Sequence, residues 1–204
     1  MSKRQSLMPA APPTPVHIVA NPRCRHPVMA DAVSIVGTFP VFVGGDSVIH
    51  PRCKLDAKTG PIKVGIRCIV EERAVIGGSA TSLNRPGVTP EGTVKLGDYT
   101  SVETGALIDA GVTISTGCHI GQKCQIGAGA VIGKYCALSP RTIIQPGEKV
   151  PDYTVVYGGV RRRDGRDGSA VNRHKNQNYK LETLRKLIPN MSDKYVQANP
   201  QAAV

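Results

Sequence analysis

The sequence predicts an all-β protein, a single-stranded left-handed parallel β-helix of hexapeptide repeats with a C-terminal α-helix packed on its side. Two observations predict this class: aliphatic residues recur at every sixth position, and large aromatic side chains are nearly absent. Aromatic residues make up 4% of the 204 residues, Trp is absent, and Gly occurs 22 times. A core without large rings must be filled by small and branched side chains, which disfavours helix bundles and ordinary α/β domains.

The six-residue period is the main evidence for the coils. The same register occurs upstream at Val43, Ile49 and Leu55, and again from Val64 after a three-residue offset. Such a period fits neither an α-helix nor a simple alternating strand, whereas three hexads close one triangular coil of about 18 residues. The repeats suffice for about six or seven coils. The uninterrupted run, which we predict to be the core repeat, comprises Leu96, Val102, Ile108, Ile114, Ile120, Ile126, Ile132, Leu138, Ile144, Val150 and Val156.

A second column lies four residues after each aliphatic position and holds mostly small residues. Five of the six cysteines fall in it, so we interpret them as small buried side chains. Zinc binding is disfavoured because no CxxC-type spacing is present. A disulfide between Cys118 and Cys136, which lie 18 residues apart, is geometrically possible but disfavoured by the reducing compartment that we expect. The remaining cysteines of the column are Cys53, Cys68 and Cys124.

Breaks in the repeat predict the domain organisation. Hexads stop within a Gly- and Pro-rich stretch at 77–93 and again after Val160. Leu181, Leu184, Leu187 and Ile188 share one face of a short amphipathic helix. In order, the predicted segments are a basic Pro-rich segment 1–27 with a disordered start, the β-helix 28–161 with an inserted loop 77–93, a basic linker 162–177, the helix 178–189 and a disordered tail 190–204.

Charge is concentrated at the two ends of the chain. The formal net charge is +11, and residues 161–186 contain nine basic and three acidic residues. The predicted partner contacts are Arg161, Arg162 and Arg163, Arg85 in the inserted loop, and Leu184 on the helix. An acidic protein partner and a merely solvated linker both fit the basic stretch, whereas nucleic acid is disfavoured because only Tyr179 is available there for base stacking.

The histidines do not form a recognisable catalytic or metal pattern. Proteins with this repeat include acyltransferases, which use a histidine as general base, and γ-class carbonic anhydrases, which hold zinc with three histidines. The stretch Thr116–Gly121 is similar to the carbonic anhydrase signature, but Thr116 and Gly111 stand where ligands are needed. Because a catalytic zinc needs three protein ligands, we predict no catalytic residue, no metal ligand and no cofactor.

Three stretches carry a more specific resemblance. They are VIHPRCKLDAKTGPIKVGIRCIVEERAVI at Val48–Ile76, DYTVVYGGVRRR at Asp152–Arg163, and LETLRKLIPN at Leu181–Asn190. On these stretches the chain resembles the dynactin subunit 6 family, the smaller of two left-handed β-helix subunits at the pointed end of dynactin. The resemblance covers about residues 35–190 and does not extend to the Pro-rich start or to the tail after Asn190.

The resemblance implies a non-catalytic structural and adaptor subunit in the cytoplasm and cytoskeleton, which would support dynein-dependent microtubule transport and cargo or adaptor selection. The resemblance implies three kinds of direct partner: dynactin subunit 5, which is a sister β-helix; the pointed-end actin-related protein; and other dynactin subunits. Dynein and cargo adaptors would be indirect partners. We expect neither nucleic-acid binding nor membrane insertion. The alternative is a hexapeptide-repeat enzyme, either a carbonic anhydrase-like protein or an acyltransferase homotrimer.

Overall fold

The computed structural model describes residues 16–19, 24–79, 92–163 and 169–197. Within them the chain forms a left-handed parallel β-helix of triangular cross-section, followed by helices α1 (Ser169–Leu187) and α2 (Ser192–Gln197). No helix in this described part is long and apolar enough to cross a membrane. The predicted fold class and number of coils are confirmed.

Three sheets form the sides of the prism, with the strands numbered in chain order. The first sheet contains β1 (Val16–Val19), β4 (Val41–Gly44), β7 (Ile62–Val64), β10 (Val94–Leu96), β13 (Thr113–Ile114), β16 (Val131–Ile132) and β19 (Lys149–Val150). The second contains β2 (Val28–Met29), β5 (Val48–Ile49), β8 (Ile69–Val70), β11 (Ser101–Val102), β14 (His119–Ile120), β17 (Ala137–Leu138), β20 (Thr154–Tyr157) and β21 (Val160–Arg163). The third contains β3 (Ser34–Gly37), β6 (Lys54–Ala57), β9 (Val75–Gly77), β12 (Leu107–Ile108), β15 (Gln125–Ile126) and β18 (Ile143–Ile144).

The strand register confirms the predicted core. Ile108 pairs with Ile126, and Ile126 pairs with Ile144, each one coil away. All residues of the predicted core repeat are at most 3% exposed. Val64 pairs with Leu96 although the inserted loop separates them in sequence. The insertion therefore leaves the coil stacking intact, while residues 80–91 of the predicted loop lie outside the described residues.

The side chains of the small inward column fill space and also donate hydrogen bonds to carbonyl groups at the corners of the coils. Cys53 and Cys118 each place Sγ 2.9 Å from a carbonyl oxygen of the next coil, that of Glu71 and that of Gly133. Burial raises the pKa of Cys53 to about 12, so its thiol stays protonated and able to donate. All six cysteines are free. Hydroxyls of the same column donate to corner carbonyls as well: Thr100 to Gly97, Thr142 to Ser139, and Thr154 to Pro151.

The glycine that follows many core aliphatics is required by close approach between coils. A Cβ on Gly97 would lie 2.6 Å from the carbonyl carbon of Ser115, and one on Gly121 would lie 2.6 Å from the Leu138 oxygen. Positive φ values occur two residues later instead, for example 54° at Lys123. These glycines therefore provide the tight corner, and the left-handed turn is made by their neighbours.

The β-helix begins earlier and ends differently than predicted. Strand β1 pairs with β4, Val16 opposite Val41, although the sequence placed it in the Pro-rich segment. At the other end β21 turns back antiparallel to β20. Val160, which the period assigned to the inward column, is 54% exposed there. The Gly158–Gly159 turn reverses the chain before another coil can form.

Helix α1 is longer than the predicted helix 178–189 and lies on the second sheet. Its first half falls in the predicted linker 162–177, which is therefore corrected for residues 169–177. This half is held by polar contacts: Arg173 Nη2 donates to the Tyr135 carbonyl at 3.0 Å, and Gln177 Nε2 donates to the Arg67 carbonyl at 2.9 Å. Such contacts leave no apolar period in the sequence, which is why the helix start was missed.

The predicted disordered tail 190–204 is corrected for residues 190–197, which cap the first coil, while residues 198–204 lie outside the described residues. The backbone N–H of Met29, in the edge strand β2, donates to Asn190 Oδ1 at 3.2 Å, and Met191 N donates back to the Met29 carbonyl at 2.8 Å. On α2, the Tyr195 hydroxyl accepts from Val33 N and donates to the Ala30 carbonyl, both at 3.1 Å. The segment thus covers the backbone groups that an edge strand leaves unpaired.

Candidate functional site

The outer face of the second sheet is the part of the molecule where side chains converge. At its first coils this face is apolar, because Val28, Val48 and Ile69 point outward towards α1. Leu181 packs among them at 3% exposure, with Leu184 and Ile188 alongside. Three of the four residues of the predicted apolar face are therefore used within the chain, whereas Leu187 is 71% exposed.

A buried carboxylate connects three parts of the chain next to this apolar contact. The side chain of Asp46 is 8% exposed and lies 3.0 Å from Arg25 Nε, 3.6 Å from Arg67 Nε and 4.0 Å from Arg185 Nη1. Arg25 also pairs with Glu182 of α1. Because a buried charge needs partners, this arrangement fixes the N-terminal segment, a coil corner and the helix relative to each other.

A cleft of about 260 Å³ lies further along the face, between α1 and the sheet. Lys180 pairs with Glu71, whose Oε2 also accepts from the Thr104 hydroxyl at 3.0 Å. Burial acts to raise the pKa of Glu71, but the Lys180 ammonium and the Thr104 donors outweigh it and hold this pKa below its usual value. Glu71 is therefore a charged anchor for the helix.

His119 is the residue of the cleft with the most obvious catalytic potential. Its Nε2 lies 3.3 Å from Glu103 Oε1, and burial lowers its pKa although Glu103 opposes the shift. A neutral histidine beside a carboxylate can act as a general base. The cleft, however, is smaller than the roughly 300–1,000 Å³ of typical ligand pockets. No cluster of metal-binding side chains occurs among the described residues.

Aromatic rings form a ladder along the corner beside the cleft. Tyr99, Tyr135 and Tyr153 occupy equivalent corners, and His174 from α1 stacks on Tyr99 with ring centroids 4.7 Å apart. Tyr135 lies 5.4 Å from His174 and 5.2 Å from Tyr153. Gly117 stands where the column lacks a ring, and a Cβ there would lie 2.8 Å from His174 Nε2. The helix thus inserts its histidine into the gap.

The sequence contains a signal for this ladder that the hexad analysis did not use. Tyr99, Gly117, Tyr135 and Tyr153 follow one another at intervals of 18 residues, the length of one coil. The aliphatic column alone places His174 in a linker, because the hexads end before it.

Three histidines at the contact between α1 and the β-helix predict a stability that depends on pH. Burial lowers the pKa of His50, His119 and His174, and Arg173 adds to the effect on His174. In the unfolded chain a histidine has a pKa of about 6.5. Below that pH the unfolded state therefore binds more protons than the folded state. The histidines therefore contribute fully to the free energy of unfolding above about pH 6.5. This contribution is lost as the pH falls through their lowered pKa values in the folded state.

We therefore expect the melting temperature to fall between pH 7.5 and 5.5. His174→Phe keeps a stacking ring but removes one titrating group, so its melting temperature should fall less steeply over the same range. Thermal unfolding followed by circular dichroism at several pH values measures both slopes. Identical slopes for the wild type and His174→Phe would contradict the assigned role of His174.

The predicted partner contacts are separated in the structure. Arg161, Arg162 and Arg163 form β21 at the last coil, and all three are exposed. Leu184 lies at the opposite end of the same sheet and packs on the first coils, which reduces the surface it offers to a partner. Arg85 lies outside the described residues.

Comparison with known proteins agrees with the fold. Residues 99–134 match the family model described as bacterial transferase hexapeptide (six repeats). A hexapeptide transferase family protein from Anaplasma phagocytophilum superposes with a TM-score of 0.61 at 14% identity, covering 86% of this chain and 98% of that one. A Bacillus cereus protein, provisionally assigned as an acetyltransferase, has a TM-score of 0.60 at 19% identity, covering 80% and 92%. At these identities the likeness shows the fold alone. The chain therefore has the fold of hexapeptide-repeat β-helix proteins.

A curated protein gives a more specific similarity. Dynactin subunit 6 of the sea anemone Nematostella vectensis is 28% identical over 151 residues, which is 74% of this chain and 79% of that protein. The aligned length is much greater than residues 99–134, the part of the chain that the family model matches.

Proposed function

We propose that this chain is a non-catalytic structural and adaptor subunit of a dynactin pointed-end complex. The observation that carries the proposal is the 28% identity to a dynactin subunit 6 over 74% of the chain. In this role the chain would act in the cytoplasm and cytoskeleton, in dynein-dependent microtubule transport and in the selection of cargo or adaptors. Its direct partners would be dynactin subunit 5, the pointed-end actin-related protein and other dynactin subunits.

The shape and surface of the described part support a scaffold role. One side of the prism is closed by α1, and the first coil is capped by the segment that contains α2. The other two sides present Ile143 at 50% exposure on one side and the exposed Lys63, Lys95 and Lys149 on the other. Rigid flat sides of this kind suit side-by-side or end-to-end packing with other subunits.

Purification of the tagged full-length chain from cells of its own organism tests the proposal. We expect actin-related proteins and a second β-helix subunit to be recovered in amounts comparable to the tagged chain. A matched Ile144→Asp variant, which should not fold, controls for proteins that bind the tag or the resin. Recovery of the folded chain without actin-related proteins would contradict the proposal.

The alternative, a hexapeptide-repeat enzyme, rests on His119, which lines the cleft and pairs with Glu103. An acyltransferase or carbonic anhydrase-like protein of this class is expected to be a homotrimer. Three measurements test this alternative: light scattering of the purified chain, zinc analysis and an acetyl-transfer assay. A trimeric mass would support the enzyme if it were found together with stoichiometric zinc, or together with turnover that His119→Gln abolishes. A monomeric mass, no zinc and no turnover would agree with the scaffold.

A further inference from the structure

The last strand of the second sheet has a defined geometry at its outer edge. Strands β20 and β21 are joined by Gly158 and Gly159, whose φ values are 54° and 79°. Positive φ at both positions is the signature of a two-residue type I′ hairpin. In such a hairpin the residues flanking the turn, Tyr157 and Val160, form a hydrogen-bonded pair, and the following pairs alternate in type.

This alternation decides which backbone groups face away from the sheet. Arg161 lies opposite Val156 and Arg163 lies opposite Thr154, and both pairs are of the type without hydrogen bonds. Their N–H and C=O groups therefore point away from β20. β21 is the end strand in the sheet order, and no other strand of the described residues pairs with it. The opposite edge of this sheet, by contrast, is covered by residues 190–191.

The side chains of β21 give this edge a particular chemistry. Arg161 pairs with Glu148. Arg162 and Arg163 have no carboxylate within 4.0 Å among the described residues. On the outer face of the sheet, Arg162 borders a shallow groove of about 400 Å³ lined also by Val155, Tyr157 and Val160. Tyr157 is 75% exposed. Within the described residues, the edge thus combines an apolar strip with two arginines that have no carboxylate partner.

We propose that β21 accepts an acidic extended segment of a partner protein as an additional strand of the second sheet. The backbone groups of Arg161 and Arg163 would supply the main-chain hydrogen bonds. The segment would place consecutive acidic residues opposite Arg162 and Arg163, and an apolar residue opposite Val160. A second copy of this chain is disfavoured as the occupant, since the same edges would bring arginines opposite arginines.

The proposal goes beyond membership of a dynactin complex, because it depends on the β20–β21 hairpin alone. It specifies the surface, the mode of binding and the chemistry of the partner segment. It also gives the three arginines distinct roles. Arg161 and Arg163 offer backbone groups at the edge, while the guanidinium of Arg162 lies on the same face as the apolar groove.

Fluorescence anisotropy with the full-length protein and a synthetic peptide tests the proposal. The probe is a labelled eight-residue peptide of valines and threonines with two consecutive glutamates at its centre. The first control is the same peptide with alternate amide nitrogens methylated, which keeps the charge but removes main-chain donors. The second control is the Lys149→Gln variant, which removes an exposed positive charge from the first sheet.

We expect the peptide to bind, and Arg162→Gln to weaken the binding by about threefold because one exposed ion pair is lost. N-methylation should weaken it by more than about tenfold, since several main-chain hydrogen bonds are lost together. Lys149→Gln should leave the affinity unchanged. Absence of binding, equal binding of the methylated peptide, or equal effects of Lys149→Gln and Arg162→Gln would each overturn the proposal.

Discussion

Replacing Ile144 by Asp should unfold the protein. Ile144 is fully buried in β18, where it packs in the dry interior and pairs with Ile126 of the preceding coil. A carboxylate at this position would have no partner, and the loss of apolar packing adds to its cost. We expect the free energy of unfolding to fall by more than about 4 kcal/mol, a large part of the stability of a typical domain. Urea denaturation followed by circular dichroism measures the change.

The neighbouring residue provides a matched control for this experiment. Ile143 is 50% exposed and points to the opposite side of the same strand. The same substitution, Ile143→Asp, places the carboxylate in water and should lower the free energy of unfolding by less than about 1 kcal/mol. Similar losses of stability for the two variants would show that the inward register of the hexads is wrong.

Replacing Tyr195 by Ala should remove the cap on the first coil. Its ring packs on the core cluster, and its hydroxyl joins Val33 N to the Ala30 carbonyl. Loss of a half-buried ring together with two hydrogen bonds should lower the free energy of unfolding by about 2–3 kcal/mol. Thermal and urea unfolding of the full-length variant measure this loss.

Two further variants separate the contributions of the cap. Tyr195→Phe keeps the ring and should cost about 1 kcal/mol for the lost hydrogen bonds. Lys194→Ala removes an exposed ion pair with Asp31 from the same short helix and should leave the stability unchanged. If Tyr195→Ala were as stable as Lys194→Ala, residues 190–197 would not act as a cap.

The coils could be predicted from the sequence because the packing requirement that produces them recurs in every hexad. Each hexad must place one aliphatic residue, such as Ile126, in the same narrow interior, so the constraint appears at a fixed interval. The start of the β-helix was harder to place, since Val16 pairs with Val41 across an irregular first coil. The reversal at Gly158–Gly159 was missed because Val160 happens to continue the period.

Some parts of the candidate site could not be predicted from the sequence. They depend on individual contacts that are not repeated from coil to coil. His174 stacks on Tyr99 and Tyr135, which lie far away in the chain, and Gln177 bonds to a single carbonyl. Asn190 covers one strand edge. Such contacts have no period and little apolar character, so composition and spacing assigned these segments to a linker and a tail.

The most direct measurement of the central claim is the native stoichiometry of the chain at its own expression level. Size fractionation of cell extract, followed by quantitative mass spectrometry, gives the copy number of the chain and of its companions in each fraction. We expect the chain to migrate in a large assembly together with the pointed-end actin-related protein. A small particle that contains three copies of this chain and no actin-related protein would contradict it.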